Sequence, residues 1–233
     1  MSLVEHLAEL RRRLIISIVA VTVGAIVAFV LYNRILGLLI GPYRTATHNP
    51  NAKFIFTDPL EGFTTRLKVS GFGGLTLASP VVLWEVWRFI TPGLRRSEKR
   101  YAIPFIVASV VLFLLGGVVA MITFPQALKF LIGVGGTKLT PLFTAGKYLN
   151  LVMLMIAAFG VAFEFPILLV FLELARVLTS QKLRKWRRPA IVVIVTVAAV
   201  ITPSQDPYSL FAMAIPMYLF YEASIVIGRL LKR

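Results

Sequence analysis

GVAFEFPILLVFLEL, residues 160–174, is an apolar run with a carboxylate, Glu164, near its middle. Two positions later Pro166 removes a backbone donor and tends to kink a helix, which frees a carbonyl beside the carboxylate. At the centre of a lipid bilayer an acidic side chain costs about 2.5–3.5 kcal/mol on insertion scales. The meaning of Glu164 therefore turns on whether this segment lies in a membrane.

The flanking sequence places it there. Residues 14–32 carry no charge and are long enough to cross a hydrocarbon core of about 30 Å. Further apolar segments cover about 67–88, 102–124, 148–172, 189–203 and 208–227, which predicts an all-α polytopic membrane protein with six transmembrane helices. Arg11, Arg12 and Arg13 before the first run resemble the start of a signal peptide. The run is long for one, however, and five spans follow, so a retained helix is expected. The fifth span is short, because the apolar stretch from Ala190 to Ile201 has only twelve residues before Thr202 and Pro203. Either the bilayer thins there or the hairpin leans on its neighbours, with a re-entrant loop as the alternative.

Of the 233 residues, 58% are hydrophobic and 15% charged, a balance that excludes an ordinary soluble domain. No break in composition and no internal repeat divides the chain, so residues 1–233 read as one transmembrane domain. A net charge of +15 raises the question of nucleic acid, but the basic residues form short clusters between apolar runs, the pattern of membrane topology. Lys and Arg number 17 on the side holding the N-terminus, the 88–101 and 173–188 connections and the C-terminal tail, against 8 on the other. Both termini are thus expected in the cytoplasm. The longer outer connections are 33–66 and 125–147, rich in Pro, Gly, Thr and Asn.

Catalysis finds little support. There is no cysteine, and the two histidines, His6 and His48, lie outside the spans. GVGGTK at 133–138 has the wrong spacing for a phosphate-binding loop, and no G-x-S-x-G occurs. No catalytic residue, metal site or cofactor is expected.

Three other segments carry unusual residues. In EHLAELRRRL (5–14), Leu7, Leu10 and Leu14 recur at helical spacing, and Glu9 faces Arg12 and Arg13 one turn on. Its charges read as solvated, at an interfacial helix leading into span one. In ASPVVLWEVWRFITPGLRRSEKR (78–100), Trp84 and Trp87 fall where an aromatic belt belongs, and Glu98 sits among basic neighbours. Glu222, in YLFYEASIVIG, is a second intramembrane acid. Glu164 and Glu222 each serve either as helix-packing hydrogen-bond partners or as a polar site facing a cavity. Glu173, near the cytoplasmic end of the fourth span, calls for no special account. Prolines at 80, 104, 125, 166, 203 and 216 predict kinked helices forming a curved surface. A proton-coupled secondary transporter using Glu164 and Glu222 is the alternative, although the inverted repeat that would favour it is not evident.

Together these segments resemble the TatC family, the multi-span receptor of the twin-arginine protein translocase. The resemblance rests on His6, Leu7, Glu9, Leu10, Arg11 and Arg13, on SPVVLWEVWRFITPGLRRSEKR, on FGVAFEFP, and on TPSQDPYSLFAMAIPMYLFYE, in order along essentially the whole chain. The TPSQDP form is similar to actinobacterial-type members. The resemblance implies a cup-shaped fold in the cytoplasmic membrane that binds twin-arginine signal peptides of folded substrates and draws on the proton-motive force. It also implies single-span TatA- or TatB-type partners, homo-oligomers within a larger complex, and contact with the lipid bilayer.

By the same resemblance, signal-peptide binding falls to Glu9, Arg11, Phe89 and Glu98, a sensible chemistry because guanidinium groups favour planar carboxylate partners. Glu164 matches an acidic residue looking into the concave, membrane-buried face. Thr202, Asp206 and Glu222 match a region of partner-helix contact, and Pro42 an outer segment that stabilises fold and assembly. One departure stands out: many members read T-P-P-D-x-x-S-Q, whereas this chain places Leu210 at the glutamine position. A basic ligand must also approach a face carrying 17 basic residues, so local carboxylates, with anionic headgroups screening the rest, have to carry recognition.

Overall fold

The computed structural model describes residues 3–48, 54–90, 102–136 and 143–230. Its helices are α1 (Leu3–Val30), α2 (Tyr32–Thr47), α3 (Glu61–Ile90), α4 (Ala102–Val134), α5 (Ala145–Phe163), α6 (Phe165–Leu174), α7 (Ser180–Lys185), α8 (Arg187–Ile201) and α9 (Pro207–Leu230). Among the described residues the only β pairing is an isolated bridge between Ile55 and Thr144. The all-α expectation holds.

Five segments are long and apolar enough to cross a membrane: Glu5–Val30, Glu61–Ile90, Ile103–Val134, Ala145–Leu174 and Pro207–Leu230. The expected fifth span corresponds to α8, which has 15 residues. At 1.5 Å per residue it measures about 22 Å, short of the hydrocarbon core. It leans on α9 along its length, from an ion pair at Arg187 to the turn at Thr202. Ser204 in that turn touches Met155 of α5 at 3.4 Å, ten residues inside the Ala145 end of that helix.

Two elements differ from expectation. The region 33–66 contains α2, whose buried residues Leu39, Pro42, Tyr43 and Ala46 follow an i, i+3, i+4, i+7 pattern. Its proline and glycines mask that periodicity, since Pro42 fills a core position instead of breaking the helix. Helix α4 likewise continues through Pro125 to Val134, ten residues past the expected end. The apolar run does not stop at the proline, and Phe124, Ala127 and Leu128 around it are buried. The kink expected at Pro166 is present: Glu164 ends α5, and Pro166 lies in the first turn of α6.

Packing between spans relies on glycine at two crossings. A Cβ on Gly24 of α1 would meet the Gly74 carbonyl oxygen of α3 at 2.6 Å, so the backbones touch. At the second crossing a Cβ on Gly116 of α4 would meet the Phe159 carbonyl oxygen of α5 at 2.5 Å. Small residues that let helix backbones approach are the usual interface in lipid, where apolar burial gives little preference for protein over tails.

Helix α5 is the centre of the core, with Val152, Met155 and Phe159 fully buried. At its Ala145 end Tyr43, Phe54, Phe143 and Phe124 gather around Tyr148. The Tyr148 hydroxyl donates to the Leu39 carbonyl at 2.8 Å and so ties α5 to α2. Tyr148→Phe is expected to lower stability by about 1 kcal/mol, the net worth of one buried hydrogen bond, and thermal unfolding of the purified protein measures it.

The remaining surface is apolar. Helix α1 exposes Ile15, Ile18, Val19, Val23 and Ile26, and buries little of itself beyond its contact with α3. A hollow of about 400 Å³ opens between α2, α3, α4 and α5, lined by residues such as Leu38, Phe72, Phe113 and Ile122. The helices form a thin, concave wall and not a compact bundle.

Candidate functional site

Where α1 begins and α3 ends, two helices zip together through side chains spaced one turn apart. Arg13 of α1 donates from Nη2 to Glu9 Oε1 at 2.8 Å and from Nη1 to Glu85 Oε2 of α3, also at 2.8 Å. The Glu85 side chain is only 8% exposed and those of Arg13 and Glu9 16% and 18%. Next to this cluster His6 stacks on Phe89, centroids 4.5 Å apart. Glu9 with Arg13, and Glu85 with Phe89, are i, i+4 pairs, so each helix presents both of its residues on one face.

Of the residues expected here, Glu9 and Phe89 come together on one small surface. Arg11 is exposed on the same helix. Glu98 lies outside the described residues. The solvated reading of the Glu9 charge is corrected, since its carboxylate is largely enclosed and engaged by Arg13. Glu9 Oε2 and Arg13 Nε are nevertheless enclosed without a hydrogen-bond partner among the described residues. The two carboxylates and one guanidinium leave the cluster one positive charge short of neutral.

A second polar chain runs beneath it. Trp87 Nε1 donates to Ser109 Oγ of α4 at 2.8 Å, and Ser109 donates in turn to Glu164 Oε2. Trp87 is therefore not part of an aromatic belt. It is 7% exposed and packs between Phe105 and Phe171, whereas Trp84 stays partly exposed. Glu164 sits at the break between α5 and α6, one oxygen bonded and the other enclosed without a partner among the described residues. The acid thus links α3 and α4 to the α5–α6 break.

The acids of the last hairpin are engaged within the chain. Glu222 accepts from Arg187 at 2.5 Å and from the Tyr218 hydroxyl at 3.1 Å, bracing α8 against α9. Thr202 and Asp206 are each 1% exposed. Thr202 donates to the Ala198 carbonyl at 2.6 Å, and Asp206 accepts from the Ser209 amide at 2.8 Å and from the Ser204 hydroxyl. They shape the α8–α9 turn, while Tyr208 and Phe211 beside it are exposed. Pro42 is buried in the α2 interface with the core.

Glu173 is a correction. It is 1% exposed, both carboxylate oxygens lack a hydrogen-bond partner among the described residues, and it lies against Gly228 of α9, where only a glycine leaves room. Its place near the end of its helix called for no special account; the packing of α6 on α9, which encloses it, calls for one.

The chain is similar to known proteins along its whole length. A family model described as Sec-independent protein translocase protein (TatC) matches residues 5–216. A Sec-independent protein translocase protein TatC from Aquifex aeolicus is 41% identical over 100% of this chain and 97% of that protein. One from Frankia casuarinae is 40% identical over 98% of this chain, which spans 65% of that longer protein. A crystal structure of a twin arginine translocase receptor, TatC, solved in DDM, superposes with a TM-score of 0.79 at 40% identity, covering 96% of this chain and 99% of that one. A family model that matches most of the chain, and relatives 40–41% identical along its length, show that the chain belongs to the TatC family of Sec-independent protein translocase proteins.

Proposed function

We propose that this protein is the signal-peptide receptor and core subunit of a twin-arginine translocase in the cytoplasmic membrane, with both termini in the cytoplasm. One observation carries the reading: Glu9 is enclosed where α1 meets α3, and one of its oxygens has no partner among the described residues. An acceptor of this kind suits an arginine side chain, which supplies parallel donors that a lysine cannot. Phe89, stacked on His6, gives the pocket an apolar wall for the rest of the signal. Arg11, exposed nearby, helps set the approach, and Glu98 contributes a second carboxylate from the connection after α3.

The exposed first turn of α9 and the apolar outer face of the hairpin receive single-span TatA- or TatB-type subunits. Thr202, Asp206 and Glu222 act there by holding the hairpin's shape. Further copies of the chain join the same complex, and the proton-motive force drives export of folded substrates. The test is a binding titration with membranes containing the full chain. A peptide carrying the consecutive arginines is expected to bind at least about tenfold more tightly than its double-lysine form, one charge-assisted hydrogen bond's worth. Equal affinities would refute the receptor assignment.

Glu164 is assigned to a later step. Glu164→Gln keeps an acceptor for Ser109 and shares no hydrogen-bond partner with Glu9 among the described residues, so peptide affinity is expected to stay within about twofold, the spread ordinarily seen between independent sites. Export of a folded reporter should fall severalfold. Equal loss of both would contradict this division of labour.

A further inference from the structure

The guanidinium of Arg13 is divided between two carboxylates in an unusual way. An arginine left with one carboxylate tends to take both of its oxygens, fork to fork. Here each terminal nitrogen goes to a different acid, Nη2 to Glu9 Oε1 and Nη1 to Glu85 Oε2, both at 2.8 Å. That division leaves Glu9 Oε2 and Arg13 Nε enclosed without a hydrogen-bond partner among the described residues.

We propose that Glu85 is a positioning residue for guanidinium recognition: by holding one arm of Arg13 it keeps that arginine from closing over Glu9, and so leaves Glu9 half open for an arginine of the ligand. This inference rests on the receptor reading above. Glu85 never touches the ligand. It acts through Arg13, which is an internal competitor for the same carboxylate. Glu85 is suited to the task because its helix is fixed against α1 at Gly74 and its side chain is among the most enclosed of the acids.

The requirement is for an acceptor at position 85, which sets the variants apart. Glu85→Gln keeps an oxygen for Arg13 and is expected to bind the double-arginine peptide within about threefold of the unaltered protein. Glu85→Met has no acceptor, so Arg13 collapses onto both oxygens of Glu9 and affinity falls about tenfold or more. Adding Arg13→Met to Glu85→Met removes the competitor and leaves the Glu9 carboxylate open to the ligand's guanidinium, and affinity returns to within about threefold. A residue that only supports the fold predicts the opposite, because losing Arg13 as well would worsen binding.

The experiment is a titration of a fluorescent double-arginine peptide, and of its double-lysine form, against bilayer discs holding each full-length variant. Loss in Glu85→Met with recovery in the double variant supports the assignment. An unaffected Glu85→Met, or a double variant no better than Glu85→Met, overturns it while leaving the receptor reading intact. Failure of the unaltered protein to distinguish the two peptides overturns the receptor reading, and this inference with it.

Discussion

Glu9→Ala is expected to weaken binding of a twin-arginine peptide by at least about 30-fold, since truncating one partner of an enclosed, hydrogen-bonded charge pair costs about 2 kcal/mol or more. The loss has two parts. The ligand's arginine loses the oxygen without a partner, and Arg13 loses one of its two anchors. The fold should survive, because α1 is held to α3 by the Gly24–Gly74 contact further along and by Arg13 to Glu85. Affinity for the double-lysine peptide, already low, should hardly change. A parallel fall for both peptides, with an unfolding temperature well below that of the unaltered protein, would assign Glu9 to stability instead. Equilibrium titration and thermal unfolding on the same preparation separate the outcomes.

Gly74→Val carries the largest structural effect. A Cβ at position 74 would fall on the backbone of Ala25, and neither helix has a flexible side chain there to give way. Overpacking of this kind costs about 1–3 kcal/mol, and backbone against backbone belongs at the upper end. For a chain of this size that corresponds to a fall in unfolding midpoint of roughly 6–12 °C. The same crossing sets the distance between Arg13 and Glu85, so peptide affinity should fall with it. Gly71→Val, on the same helix but with nothing within 4 Å of its Cβ position, is the control and should leave both quantities unchanged. Equal behaviour of the two variants would mean that α1 is not fixed at Gly74.

Much of this architecture is written in the apolar periodicity, and the exceptions have physical causes. Spans one to four and six are visible because each carries a long, predominantly apolar run, and the break at Glu164 because a proline follows it. Helix α2 is hidden by Pro42, which reads as a breaker yet occupies a buried position in a helix. The end of α4 is misplaced for the same reason at Pro125. Proline marks the loss of one hydrogen bond, and in lipid neighbouring groups can absorb that loss without ending the helix.

The site was half legible. Glu9 and Phe89 are picked out by resemblance, but Arg13 and Glu85 are not. Glu85 could have been found, because it is an acid inside the expected span 67–88, as Glu164 is inside its own. Its place among the tryptophans of SPVVLWEVWRF drew attention to a membrane interface instead. Trp87 was misassigned in the same way: the belt reading considers depth along the span, whereas its burial depends on which side of α3 meets α4 and α6. Glu173 is the clearest limit of sequence. Nothing near it announces Gly228, 55 positions away on another helix, which closes over it.

The central claim is that a signal arginine docks at the α1–α3 end of the molecule. Site-specific photocrosslinking tests it most directly, with a twin-arginine signal peptide and probes placed in the full chain near Glu9 and near Glu98, in native-like membranes. Crosslinks at both positions that disappear with the double-lysine peptide and with Glu9→Ala are the predicted result. Crosslinks indifferent to both changes, or confined to probes on α8 and α9, would contradict it.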